Sequence, residues 1–317
     1  MSSSIDAELA SWGDRMFFGM PKKGKKGAPD PRIMAGKVRT SLRVAVSPKA
    51  SQVMVKITGG GKGLGAIGAH MRYISRQGKQ EVGGPGKTLE VEDERGNILT
   101  GKDDIAALRE DWRMAGTPIP DESHRREAFN IILSMPGGTP SDGVRDSARE
   151  FAAELFRGHR YAFVLHEDTD SPHVHLVVRA ERSDGVRLNP KIADLRRWRR
   201  VFAERLQDRG INAIAMRAAS RGQRRAPQPI WRLKTSSVIR KERGPERSQE
   251  SIRRGRDEAL AAWAQVQEIL KRSQSPQDQQ LANEVSKFVE RTLLPGKVIS
   301  AGGANVGDDA RGPKRSR

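Results

Sequence analysis

The chain has 317 residues, a formal net charge of +19 and a pI of about 10.6, so its expected partner is a polyanion: nucleic acid, an anionic membrane or a ribosome. It contains no cysteine, which excludes disulfides, a thiol nucleophile and thiolate metal sites and leaves histidine and carboxylates to hold any metal. No apolar run approaches the ~18 residues of a spanning helix and no signal-peptide core is present, which predicts a soluble protein that is not Sec-exported and has no membrane insertion.

Residues 1–48 read as a basic, flexible N-terminal extension, with Lys22, Lys23, Lys25 and Lys26 set among glycines and prolines after a short apolar patch, Trp12 to Met20. Such arms contact phosphate backbones. A globular domain over 49–235 begins with alternating Val53, Val55 and Ile57, which predict a strand. A glycine-rich turn, Gly59 to Gly65, and a helix over Ala66 to Ser75 follow; 79–100 is polar and glycine-rich. Helical spacing of Ile105, Leu108 and Trp112 predicts a helix from Asp103 to Met114. The centre repeats the strand-then-helix order: strand Phe129 to Met135, turn Pro136 to Thr139, amphipathic helix Asp142 to Phe156. A hairpin of Tyr161 to His166 with His173 to Arg179 comes next, then a strongly basic helix, Asp194 to Arg209. This order predicts an α+β fold: a central antiparallel sheet flanked by helices, with the helices on one face. Residues 236–317 form a helical and disordered basic extension, with helices over Glu250 to Arg272 and Gln277 to Thr292 and a glycine-rich tail from Gly302 to Arg317.

Two tyrosines and six histidines are few enough for their placement to carry information. Three of the histidines, His166, His173 and His175, fall in one short stretch with Asp168 and Asp170. Residues two apart on a strand share a face, so His173 and His175 point the same way, and the Ser171-Pro172 turn brings His166 back beside them. Three converging imidazoles make an open, catalytic type of metal site; solvent-facing histidines are the alternative. Asp168 or Asp170 is placed to hold the second nitrogen of a ligand histidine. Upstream, Tyr73 lies among Lys62, Arg72, Arg76 and Lys79. An aromatic on an amphipathic helix is ordinarily core, but this electropositive surround suits phosphate and favours a phenolate, the form in which a tyrosine attacks a phosphodiester. The Arg196, Arg197, Arg199 and Arg200 run, with Arg221, Arg224 and Arg225, is read as a phosphate-contacting surface. Trp198 beside it is either a base-stacking platform or core. Gly86-Lys87-Thr88 resembles the end of a P-loop, but the motif's first glycine would fall at Glu81 and no apolar strand leads in, so nucleotide binding is rejected.

Together, Tyr73 in Tyr-x-Ser-Arg-x-Gly-Lys, the central Ile131 to Thr139 segment and the His166 to His175 segment resemble the conjugative relaxases of the HUH endonuclease superfamily. The branch approached most nearly is that of the agrobacterial T-DNA border endonuclease (MOBP-type). The resemblance covers about residues 52–215. It implies the relaxase fold, circularly permuted relative to replication initiators, since Tyr73 precedes the histidines. It also implies roles: Tyr73 as nucleophile; His173 and His175 as metal ligands; His166 as third ligand or tyrosine activator; Asp168 as a histidine-orienting residue; Ser134 as a DNA contact near the nick. Arg72, Arg76 and Lys79 become DNA-binding candidates.

The implied function is a site- and strand-specific, metal-dependent DNA relaxase. It nicks a transfer origin by tyrosine transesterification, stays linked to the 5′ end and pilots the strand in conjugative or mobilised transfer. Mg²⁺ or Mn²⁺ is the expected ion, although a three-histidine site binds Zn²⁺, Co²⁺ or Ni²⁺ more tightly. Expected partners are single-stranded or nicked DNA at the origin, relaxosome accessory proteins and a type IV coupling protein. The expected location is the bacterial cytoplasm, with translocation to a recipient, and the basic C-terminus resembles the translocation signals of secreted relaxases. Two other classes stay open: a phosphodiesterase that activates water, and a non-catalytic basic DNA-binding accessory protein.

Overall fold

A computed structural model describes residues 2–17, 30–76, 89–216, 220 and 249–294. Six strands form an antiparallel sheet: β2 (Met54–Gly59), β5 (Ala128–Ser134), β7 (His173–Arg182), β6 (His159–His166), β3 (Val91–Asp93) and β4 (Ile98–Leu99), in that spatial order. In β7 the alternation is strict. Val174, Leu176 and Val178 pack on one face with α5 (Ser141–Leu155) and α6 (Ile192–Gln207). His173, His175 and Val177 point to the other, covered by α3 (Leu64–Ile74) and α4 (Lys102–Met114). Helices thus lie on both faces, not on one. The reason is visible in the strands: β5 and β7 carry apolar residues on both sides, so each side needs a cover.

The helix facing the histidines is set by its entry. Gly63 caps α3 at φ 92°, and a Cβ there would stand 2.3 Å from the Asp121 carbonyl oxygen. Only glycine allows the turn to close so tightly on the 121–122 segment. From there Leu64, Ile67, Met71 and Ile74 form a helical stripe on the sheet.

The expectation of a flexible N-terminal arm is corrected on two segments. Ser2–Met16 is α1 and Pro31–Val46 is α2. Asp30 caps α2 through its side chain, a proline opens its first turn, and Met34, Ala35, Val38, Leu42, Ala45 and Val46 make a buried stripe. These helices pack with α7 (Gln249–Lys271) and α8 (Pro276–Thr292) into a second core that also takes Ile214 and Met216. Arg39 of α2 ties it together, with Nε and Nη2 at 2.7 and 2.8 Å from the two oxygens of Asp278 and Nη1 at 2.8 Å from Asp6. The first and last parts of the chain are therefore partners across 239 residues, which no local composition reveals. A short parallel pair, β1 (Ser51–Gln52) with β8 (Ala213–Ile214), joins this bundle to the sheet.

The polar stretch 79–100 holds a hairpin, β3–β4, turned by Gly96 at φ 82° with the Asp93 carboxylate accepting from the Arg95 and Asn97 backbones. Among the described residues no helix is long and apolar enough to cross a membrane. Lys22, Lys23, Lys25, Lys26, Lys79, Arg221, Arg224, Arg225 and the 302–317 tail lie outside the described residues.

Candidate active site

The β6–β7 hairpin pairs His166 with His173 and Val164 with His175, while β5 places Ser134 opposite His173. Directly opposed residues share a face, so the three imidazoles and Ser134 stand together on the side covered by α3. Ring centroids are 5.3 Å apart for His166–His173, 4.6 Å for His166–His175 and 5.1 Å for His173–His175. One nitrogen from each lies within 4.8 Å of the others. Two nitrogens on one ion stand at most about 4.2 Å apart, so small ring rotations close the set.

The hydrogen bonds test the fit to a metal. His166 Nε2 is 2.7 Å from the Ile74 carbonyl, and His173 Nδ1 is 3.1 Å from the Ser171 carbonyl. A carbonyl only accepts, so each ring donates from that nitrogen and keeps the lone pair on the other: Nδ1 of His166, Nε2 of His173. Carbonyls thus fix both tautomers, the task expected of Asp168. Burial pushes His166 below the ordinary histidine range, and burial together with the neighbouring His166, His173 and His70 pushes His175 down to about 3. Neutral rings with free lone pairs are what a divalent cation requires.

Asp168 makes an ion pair with Arg76 instead. Burial raises its carboxyl, but the Arg76 hydrogen bond outweighs this and holds it below its usual value. Arg76 follows α3 with φ 54°, so the pair fastens the end of the tyrosine helix to the β6–β7 turn, and the His166–Ile74 bond fastens it a second time.

Tyr73 is 70% exposed, against the rule that an aromatic on such a helix packs inside. Its ring stacks at 6.2 Å from His70, which meets His175 edge-on at 6.5 Å. His70 is the residue that sequence reasoning missed. Its signal was the three-residue spacing to Tyr73, which puts both side chains on one helix face. Burial lowers its pKa.

Other expected residues are placed less centrally. Ser134 is adjacent to the histidines but buried, its hydroxyl nearest the Met135 carbonyl at 3.5 Å. Arg72 is exposed on the opposite flank of α3. Arg196, Arg197, Arg199 and Arg200 sit on α6, which packs on the sheet face away from the histidines. Trp198 is core, edge-on to Phe156 at 5.2 Å.

Comparison with known proteins follows this geometry. Residues 73–211, from the exposed tyrosine to just past α6, match the model of the relaxase family described as MobA/VirD2-like, nuclease domain. The chain is 33% identical over 145 residues to the T-DNA border endonuclease VirD2 of Rhizobium radiobacter. It is 34% identical over 144 residues to that of Agrobacterium fabrum. These matches take in 41% of this chain and 32% and 31% of those relatives, so the chain matches about a third of their length.

Proposed function

We propose that this chain, whose residues 73–211 are a MobA/VirD2-like relaxase nuclease domain, nicks one strand of DNA with Tyr73 and remains joined to the 5′ end. The observation that carries the reading is an exposed tyrosine on a helix whose next residue, Ile74, is hydrogen-bonded to a histidine of the three-imidazole cluster. The chemistry is an exchange of esters. Tyr73 Oη attacks phosphorus, the P–O3′ bond breaks, and the electron pair leaves on the 3′ oxygen, which takes up a proton. The phenolic proton passes to solvent, to which Tyr73 is open. One P–O bond is formed for one broken, so the 3′-OH can reverse the step and reseal the strand.

His166, His173 and His175 would hold a divalent ion, which supplies Lewis-acid polarisation of the phosphate's non-bridging oxygens. Mg²⁺ or Mn²⁺ suits that role. The chain's own residues do the positioning: His70 stacks the Tyr73 ring, the Arg76–Asp168 pair fixes the helix end, and Ser134 underlies His173. The working division is a nicking domain over 49–235 and a C-terminal region over 236–317. The biological reading is nicking at a transfer origin, with strand piloting through accessory and coupling proteins.

The test is a denaturing gel with end-labelled single-stranded oligonucleotides tiled across the transfer origin of the element that encodes the chain. With Mn²⁺, a band of protein carrying the DNA 3′ of the nick is expected, absent with EDTA and in Tyr73→Phe. Cleavage without an adduct, surviving Tyr73→Phe, would refute the tyrosine mechanism in favour of water attack.

A further inference from the structure

Beside the tyrosine helix, α3 and α4 leave a cleft of about 330 Å³ lined by Gly68, Arg72 and Ser75 on one side and Lys102, Ile105, Ala106 and Arg109 on the other. The spacing is that of one helix face in each case, i, i+4, i+7 on α3 and i, i+3, i+4, i+7 on α4. Three cations and a hydroxyl line the cleft, and among the described residues no carboxylate does. Arg72 and Lys102 make no ion pair or side-chain hydrogen bond among the described residues. Arg109 gives Nε and Nη2 to Glu110 at 3.0 and 2.5 Å, and Glu110 also accepts from Arg113.

Gly68 is the floor. A Cβ there would come within 2.7 Å of Arg109 Cδ and 3.3 Å of Arg72 Nη1, so glycine lets two like-charged side chains cross the same spot. Arg72 and Lys102 bring positive charge to the cleft that no ion pair among the described residues answers, and a bound anion accepts hydrogen bonds from them.

We propose that this cleft holds a non-scissile backbone phosphate of the cleaved strand, a reading that rests on the nicking function above. The helix argues for DNA over a free anion. Tyr73 and His70 lie on one flank of α3, and Arg72 and Ser75 lie on the other, with the buried stripe between them. A helix with its side chains is about 10–12 Å across, so a strand laid over α3 with one phosphate at Tyr73 brings another, one or two nucleotides away, to Arg72, Lys102 and Arg109. The phosphates on the two flanks fix the strand's direction, and a strand fixed in direction presents its P–O3′ bond in line with Tyr73 Oη.

The experiment measures binding in the Tyr73→Phe background, which retains the cleft and cannot cut. A fluorescent origin oligonucleotide is titrated at several salt concentrations. Lys102→Gln with Arg109→Gln is expected to weaken Kd about tenfold and to lower the slope of log K against log salt by about 0.7, one single-strand phosphate contact. Arg253→Gln with Arg254→Gln, an equal charge change on exposed α7, is expected to stay within twofold. A methylphosphonate one or two nucleotides from the cleaved bond should cost the parent about tenfold and the double variant less than twofold. Equal Kd and slope in parent and double variant, with thermal stability intact, would overturn the subsite. So would an equal loss in Arg253→Gln with Arg254→Gln. Failure of the nicking reading shows separately, as no adduct from wild-type protein.

Discussion

Arg39→Met tests the packing of the chain's two ends most directly. The guanidinium meets both oxygens of Asp278, which is 1% exposed, and a second carboxylate, from Asp6. Burial alone would raise the Asp278 carboxyl; the fork from Arg39 outweighs it and holds the pKa below its usual value. Methionine fills similar volume but strands a buried carboxylate, and breaking one side of such a pair costs about 3–5 kcal/mol. The sign with pH follows. In wild type the pair's contribution is present above the ordinary aspartate pKa and fades as pH falls through the depressed folded value. In Arg39→Met the unpaired Asp278 is easier to protonate, so the penalty shrinks on going from pH 7.5 to pH 5. Urea unfolding followed by helical circular dichroism at both pH values reads this out, and hydrogen exchange reports whether α1, α2, α7 and α8 open together. A cost under about 1 kcal/mol, the same at both pH values, would refute the bundle as described.

Trp198→Ala should destabilise by about 3–5 kcal/mol, as loss of a core aromatic does, measured by urea melts; a stable variant defective only in DNA binding would restore the stacking role. His175, at about 3 when folded against about 6.5 unfolded, makes the metal-free unfolded state bind more protons. Stability in EDTA should therefore decline from about pH 6.5 toward pH 3, by up to ~1.4 kcal/mol per pH unit per such histidine, and a flat profile between pH 7 and 5 would contradict the burial argument. His70→Ala should slow adduct formation about tenfold by loosening Tyr73 while leaving Mn²⁺ affinity within threefold. Equal loss of both would make His70 part of the metal site. Tyr161→Phe should keep the adduct that Tyr73→Phe loses, because Tyr161, the other tyrosine of the chain, is buried and burial raises its hydroxyl's pKa.

The sequence by itself determined the elements with strong local periodicity and the convergence of three histidines. The His173-Val-His175 alternation required a strand with both rings on one side, and the short turn from His166 required a hairpin; the register delivers both. Every helix expected from 66 to 292 recurs within two residues of its predicted ends. Contacts between distant segments were decided by the tertiary structure. Tyr73 is exposed because the buried stripe of α3 is 64, 67, 71 and 74, and the sheet supplies no surface at 73. Carbonyls from Ile74 and Ser171 orient the histidines because α3 ends against β6, leaving Asp168 to Arg76. The N-terminal helices escaped notice because the lysine- and glycine-rich segment between them dominates the composition there, while the core that takes their apolar faces is completed by α7 and α8, more than 200 residues away. A helix face states that it needs a cover; which segment provides it depends on the whole chain's packing.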